Sequence, residues 1–309
     1  MRAWTIIAIA GAVIAAPLHA QTALPEPEPE PEPVTIEVRG KRQIDKAIVS
    51  NSITALTRRI KVLDALPRFF QPLCLQVTGP DMDASRIIAS RIMAAADLAG
   101  LDPPKPDCQV NALVVIVDEP ERLFDKLVQR HRPILGGLDR DIHIRRLRDD
   151  LAAGKPAIAW SRTKVVALGG LDYVENGVPV LQPARATRLQ GSVYHSKILS
   201  VVVFDSTKLA GAAPAQLGDY AAMHLLANPS RTTDFETVST RSILSLFADG
   251  PDLAPEGLTA FDRAYLEGAY EVGRNSWRGK VTRAVLAAYE EECADEKPDC
   301  QFLVPAQAE

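Results

Sequence analysis

Proline and glutamate alternate from Pro25 to Pro33, where five prolines are separated by four glutamates. Proline removes the backbone donor that helices and central strands need, and the glutamates repel one another. Such a segment favours the extended polyproline II geometry and cannot join a packed core. The folded part of the chain is therefore predicted to begin at Val34, and residues 21–33 are predicted to be a stiff spacer or a solvated tail.

Residues 1–20 have the three parts of a secretory signal peptide. Arg2 supplies the positive charge, Thr5 to Ala16 is an apolar stretch, and Ala20 is the small residue that signal peptidase requires. The apolar run is shorter than the roughly 20 residues that span a bilayer, and no positively charged stop follows it. We therefore predict cleavage before Gln21 and an exported protein, periplasmic or extracellular, with no transmembrane span after cleavage.

The four cysteines agree with export, because an even cysteine count behind a signal peptide is typical of disulfide bonds. The economical pairing is Cys74–Cys108 with Cys293–Cys300, which is one of three connectivities. These spacings fit no zinc template, and no histidine lies near any of the four cysteines. We therefore expect two disulfides and no metal or other cofactor.

The composition is that of a globular chain, with 47% hydrophobic and 24% charged residues among 309. The formal net charge is −4. Without Arg2 and the four spacer glutamates, 34 basic residues face 35 acidic ones. This balance gives no overall attraction to nucleic acid or to anionic lipid, so nucleic acid is not expected as a partner.

Residues 34–130 alternate between strand-like and helix-like patterns in the order β-α-β-α-β-α. The predicted strands are Val34–Val38, Leu73–Val77 and Val110–Val117, and the predicted helices are Ile44–Leu63, Ser85–Ala99 and Glu121–Arg130. Further along, the sequence predicts a basic helix over Asp139–Ala153, strands over Ala157–Leu168 and Ser192–Asp205, and only helices and loops after Pro214. We predict an α+β fold with a mixed sheet. Its parts are a disulfide-stapled α/β region at residues 34–153 and a second region with a helical C-terminal third at residues 154–309, packed as two domains or as one.

The last third of the chain carries three segments in a distinctive order. They are DYAAMHLLA at residues 219–227, SILSLF at residues 242–247 and LTAFDRAYLEGAY at residues 258–270. This order resembles the catalytic half of zincin metallopeptidases of the metzincin type. In those enzymes a helix with the motif HExxHxxG precedes a Ser-Ile-Met turn under the metal, and a last helix begins Leu-Thr and continues to an Asp.

The resemblance implies a degenerate peptidase site. Tyr220 stands where the first zinc-binding histidine would be, Ala221 at the general-base glutamate, and His224 at the second histidine. Ser242 and Leu244 stand in the turn, with leucine in place of methionine. Zinc catalysis needs three protein ligands and a carboxylate base, so the resemblance implies that the chain has no catalytic residues and binds no zinc.

The whole chain is also similar to a group of uncharacterised secreted proteins of alphaproteobacteria. The similarity lies in the leader, the VTIEVRGKR start of the fold, the first cysteine pair, and the segments LGDYAAM and GLTAFDRAYLEGAY. No activity follows from it.

Three hypotheses about function remain open from the sequence. The first is an exported non-catalytic protein whose degenerate cleft binds a polypeptide or envelope component, with Tyr194–Phe204 as the edge strand that pairs with it. The second is a secreted hydrolase with a non-standard site around His224, built from Asp219, Tyr220 and Glu236. The third is an assembly factor of the cell envelope with an unknown partner. In this hypothesis the Pro/Glu segment is a spacer that lets the folded part contact a distant partner.

The zincin-like alignment makes one physical prediction. Helical spacing places Tyr220 on the buried face of a helix over Ala215–Ala227. We expect this helix, Ser242–Phe247 and the last motif helix to share one core cluster. A buried tyrosine needs a hydrogen-bond partner, and His224, one turn away, is a candidate for the Tyr220 hydroxyl.

Overall fold

A four-stranded mixed sheet organises the part of the chain that the structure, a computed structural model, describes. That part comprises residues 44–56, 65–136, 140–168, 193–227, 229, 240–295 and 297–300, with the backbone of residues 172–175 and 178–181. The predicted leader, the Pro/Glu segment and the Val34–Val38 strand lie outside it, as do residues 57–63 of the first predicted helix.

The sheet is mixed because three strands run parallel and one runs against them. The strands are β1 (Leu75–Thr78), β2 (Ala112–Val117), β3 (Ala157–Ala167) and β6 (Val193–Asp205), in the order β1-β2-β6-β3. β1, β2 and β6 are parallel, and β3 pairs antiparallel with β6. β4 (Asp172–Glu175) and β5 (Val178–Leu181) form a separate antiparallel pair. The predicted α+β class is confirmed, and the sheet takes its strands from both sides of residue 153.

Helices connect and cover the strands. They are α1 (Lys46–Leu56), α2 (Met82–Leu98), α3 (Pro120–Arg130), α4 (Arg140–Ala152), α5 (Pro214–Leu226), α6 (Leu246–Asp249), α7 (Ala260–Glu271) and α8 (Arg278–Glu292). Local chemistry sets their starts: Asp81 accepts hydrogen bonds from the first turn of α2, and Pro120 and Pro214 occupy first-turn positions that need no donor.

The sheet is covered by helices on both faces, because alternate side chains of β6 point to opposite sides. Val202 and Phe204 pack in the larger cluster, against α2, α5, α7 and α8. Val201 and Val203 pack in the smaller cluster with Trp160, against α3 and α4. Residues Arg42–Glu309 form one compact unit.

Two glycines allow close helix crossings behind the sheet. A Cβ on Gly218 of α5 would lie 2.8 Å from the Arg91 Cβ of α2, and one on Gly268 of α7 would lie 2.4 Å from the Val285 nitrogen of α8. Larger side chains at these two positions would force the helices apart. The contact with α2 holds α5 in place and thereby determines which of its side chains face β3 and β6.

Both predicted disulfides are confirmed. Cys74 pairs with Cys108 and Cys293 with Cys300, with Cα–Cα distances of 5.9 and 5.8 Å. Two disulfides fit an exported protein, since such bonds persist in oxidising compartments. Among the described residues, no helix combines the length and the apolar character that crossing a membrane requires.

Candidate functional site

The edge of the sheet lies elsewhere than the sequence predicted. Tyr194–Phe204 belongs to β6, which pairs with β3 along one side. Along its other side, Ser200–Phe204 pairs with β2, and the Arg68 backbone bonds to His195 and Lys197. The prediction of an edge strand there is therefore wrong. The physical reason is that Val201–Phe204 is buried on both faces, which is typical of a central strand with parallel neighbours.

β3 is the outer strand on this side of the described sheet. The Pro156 carbonyl accepts a hydrogen bond from the Asp205 nitrogen, so alternate residues from Pro156 onward direct their backbone groups to β6. By the same alternation, the backbone N–H and C=O groups point away from the sheet at Ser161, Thr163 and Val165. Thr163 to Val165 is exposed, and Val165 has 41% of its surface accessible. No described strand pairs with the outer side of β3, which thus offers a row of backbone donors and acceptors at this edge.

α5 packs on the sheet face beside this edge, with Tyr220 turned into the core. Only 9% of the Tyr220 surface is accessible. Its ring centre lies 4.6 Å from that of His224, 5.0 Å from that of Phe247 and 5.9 Å from that of Phe204. The predicted joint cluster of the three motif segments is confirmed, since all three contribute to the larger core.

The candidate hydrogen bond between Tyr220 and His224 is not formed. Within the described residues the two rings pack with their planes tilted by 43°, and no hydrogen bond joins them. Residues four apart on a helix project in nearly the same direction, so their rings meet side by side.

A buried carboxylate holds the turn that follows α5. Asp262 in the first turn of α7 accepts hydrogen bonds from the Ser242 hydroxyl at 2.6 Å and from the Ile243 nitrogen at 2.8 Å. It also accepts from the Thr259 nitrogen at 3.0 Å, which completes a capping box. These bonds hold Leu244, which is buried, in the core cluster that contains Tyr220.

Asp262 is fully buried, and burial raises its pKa to about 6 although its donors favour the charged form. The sequence predicted the turn but gave this carboxylate no role. The Thr259-x-x-Asp262 spacing at the start of a helix was the available signal.

The surroundings of His224 are cationic. Burial, together with the nearby charges of Lys197 and Lys155, lowers the pKa of His224 to about 3. Lys155 in turn pairs with Asp150 at 2.7 Å, and burial and the Asp150 charge raise the pKa of Tyr220. At neutral pH the imidazole is therefore uncharged and a weak base.

Lys197 is a buried cation beside α5 to which the sequence analysis gave no role. In β6, Leu199 lies opposite Arg162 and Lys197 lies opposite Thr163, so Ile198 is an extra residue that forms a bulge. A bulge breaks the alternation of side chains and turns Lys197 inward, where none of its surface is accessible. Its ammonium group donates to the carbonyls of Leu225 at 2.6 Å and Leu226 at 3.3 Å. Lys197 therefore caps the C-terminal end of α5.

Lys197 makes stability depend on pH, because burial lowers its pKa from 10.5 to about 7. Between these values the unfolded chain binds a proton that the folded chain does not, so the free energy of unfolding rises with pH. We expect Lys197→Met to abolish much of the rise between pH 7 and pH 9. Urea unfolding at both pH values tests this, with the exposed Lys164→Met on β3 as control. An unchanged slope in Lys197→Met would contradict the assignment.

The residues at the positions that the zincin resemblance singles out, Tyr220, Ala221 and His224, do not fit a catalytic zinc ion. His224 is the single imidazole there, Ala221 has a methyl group buried in the core, and two lysines oppose a bound cation. In the described parts of the chain, no three His, Cys, Asp or Glu side chains are grouped to hold a metal.

Asp219, another polar residue of the hydrolase hypothesis, bonds to α2 and to the segment before α7 rather than to His224. Asp219 is buried against α2, where it accepts from the Arg91 Nε at 2.9 Å and from the Leu258 nitrogen at 2.9 Å. Its role is therefore to join α2, α5 and the segment before α7. Glu236 lies outside the described residues.

Comparisons of the chain with protein-family models, with curated proteins and with solved structures give no match.

Proposed function

We propose that this protein is an exported, non-catalytic binding protein that takes up an extended polypeptide as an additional strand on β3. The observation that carries the proposal is the outer backbone edge of β3, with which no described strand pairs. This edge is exposed at Thr163–Val165 and adjacent to α5, the helix that bears Tyr220 and His224. Main-chain hydrogen bonds supply the affinity in this mode of binding, and alternate side chains supply the specificity.

The chemistry of α5 supports binding rather than turnover. Ala221 stands where the resemblance to zincins puts the general base, and a methyl group accepts no proton. His224 has a pKa of about 3, so it is a weak base at neutral pH. Asp219 already accepts hydrogen bonds from Arg91 and Leu258, so it supplies no carboxylate base to the alternative, a hydrolase around His224.

The export part of the proposal rests on the signal-peptide pattern of residues 1–20 and on the two disulfides. The proposed partner is a secreted or envelope polypeptide. Binding depends on an extended segment of this partner and not on its folded shape.

Blocking the backbone of β3 at Val165 should weaken peptide binding about fivefold or more, since one main-chain hydrogen bond of about 1 kcal/mol is lost and a proline ring obstructs the added strand. The Val165→Pro variant removes an outward N–H, and an edge strand tolerates proline at such a position. Peptides selected from a random dodecapeptide display library on the chain without residues 1–20 are the probes, and fluorescence anisotropy gives the Kd.

Val165→Thr is the matched control, because it keeps a β-branched residue and the N–H. Equal binding by Val165→Pro and the control would overturn the strand-addition proposal. Cleavage of the selected peptides by protein containing stoichiometric zinc would overturn the non-catalytic part.

A further inference from the structure

The face of β3 that points away from α5 is basic beyond the cover of α3 and α4. Ile158 and Trp160 of this face pack in the smaller cluster, and Arg162 and Lys164 follow at the same two-residue spacing. Arg162 is half-buried and Lys164 is exposed. These two cations therefore stand side by side on one face of the free strand.

Arg162 also lines an open groove of about 820 Å³ beside the Cys74–Cys108 disulfide. Lys105 and Asp107 contribute one charge of each sign, and Ile134, Ile198 and Leu199 contribute apolar surface. None of the ion pairs between described residues uses Lys105, Arg162 or Lys164. The groove and the adjoining strand face thus carry three cations against one carboxylate.

A strand added to β3 would place its side chains on two faces in strict alternation. Residues opposite Arg162 and Lys164 would lie on the basic face, within about 5 Å of these side chains between Cβ atoms. Residues opposite Thr163 and Val165 would lie on the other face of β3, where Ala157 and Ala159 of the same strand pack against the larger apolar cluster. The two faces of β3 therefore favour different side chains at alternate positions of the added strand.

We infer that the polypeptide bound by β3 is acidic in alternation, with carboxylates at positions i and i+2 opposite Arg162 and Lys164 and uncharged residues between them. The inference rests on the proposed function and names its partner by charge. Opposite charges directly across two strands attract, and like charges repel, so the same pair of cations admits acidic strands and rejects basic ones.

Three heptapeptides of the pattern Thr-Val-X-Val-X-Val-Thr, with X as Glu, Gln or Lys, test the inference. We expect the Glu peptide to bind at least about tenfold more tightly than the Lys peptide at low salt, and less so at high salt. The double variant Arg162→Glu, Lys164→Glu should invert this order. The double variant Lys126→Glu, Arg130→Glu on exposed positions of α3 makes the same change in net charge and should leave the order unchanged.

The outcomes separate this inference from the proposed function. If the three peptides bind equally and Val165→Pro weakens all of them, strand addition stands and the acidic partner is wrong. If an oligothymidylate or phosphatidylglycerol vesicles bind as tightly as the Glu peptide, and only the charge reversal affects that binding, the surface is a general anion site and the inference is overturned.

Discussion

Replacing Asp262 by alanine should lower the free energy of unfolding by about 4 kcal/mol, because the buried donors around it lose their acceptor. The Ser242 hydroxyl, the Ile243 nitrogen and the Thr259 nitrogen all point at this carboxylate from sites that water does not reach. Each unsatisfied donor costs about 1–3 kcal/mol, and partial rearrangement of the turn keeps the total below their sum.

Urea unfolding at pH 7.5, where the carboxylate is ionised, measures the effect. The exposed Asp249→Ala at the end of α6 is the control and should change stability by less than about 0.5 kcal/mol. Ser242→Ala alone removes one donor to Asp262 and also the acceptor of the Leu244 nitrogen, so it should cost about 1–3 kcal/mol and show strong coupling with Asp262→Ala in a double-mutant cycle. A loss below 1 kcal/mol in Asp262→Ala would show that the turn does not depend on the carboxylate.

The features that the sequence predicted correctly are those encoded by local spacing. The helix over Ala215–Ala227 was predicted to within one residue, because Pro214 marks its start and apolar residues recur at helical spacing. The disulfides were predictable because only two cysteines lie in each half of the chain. The joint cluster around Tyr220 followed from the order of the three motif segments.

The features that the sequence did not predict depend on which strands become neighbours. β6 is an inner strand because β2, some 80 residues earlier, and β3 pair with its two edges, and no local pattern encodes a pairing at such a distance. The bulge at Ile198 likewise exists only with respect to the register with β3, so the burial of Lys197 could not be read from its neighbours in sequence.

The same limit explains a second buried cation, Arg68, which the sequence gave no role. Arg68 donates to the carbonyls of Val272 at 3.1 Å and Gly273 at 2.8 Å, and to that of Ala269, at the end of α7. The carbonyl of Arg68 accepts a hydrogen bond from the backbone nitrogen of Lys197 at 2.8 Å. Adjacent backbone segments thus supply the cations that cap α5 and α7, which ties the two helices to the start of β6.

Truncating Tyr220 to alanine should destabilise the protein by about 3 kcal/mol or more, since removing a buried aromatic ring leaves a cavity that the core fills only in part. The ring touches Phe204 of the sheet and Phe247 beyond the turn, so the cavity would open between the sheet and the segment that Asp262 holds. Tyr220→Phe keeps these contacts and should cost less than about 1 kcal/mol, which separates the ring from the hydroxyl. Thermal and urea unfolding of both variants measure the difference. Equal losses in the two variants would assign the stability to the hydroxyl, and a negligible loss in Tyr220→Ala would mean that Tyr220 is not a core residue and that the zincin-like alignment of α5 is wrong.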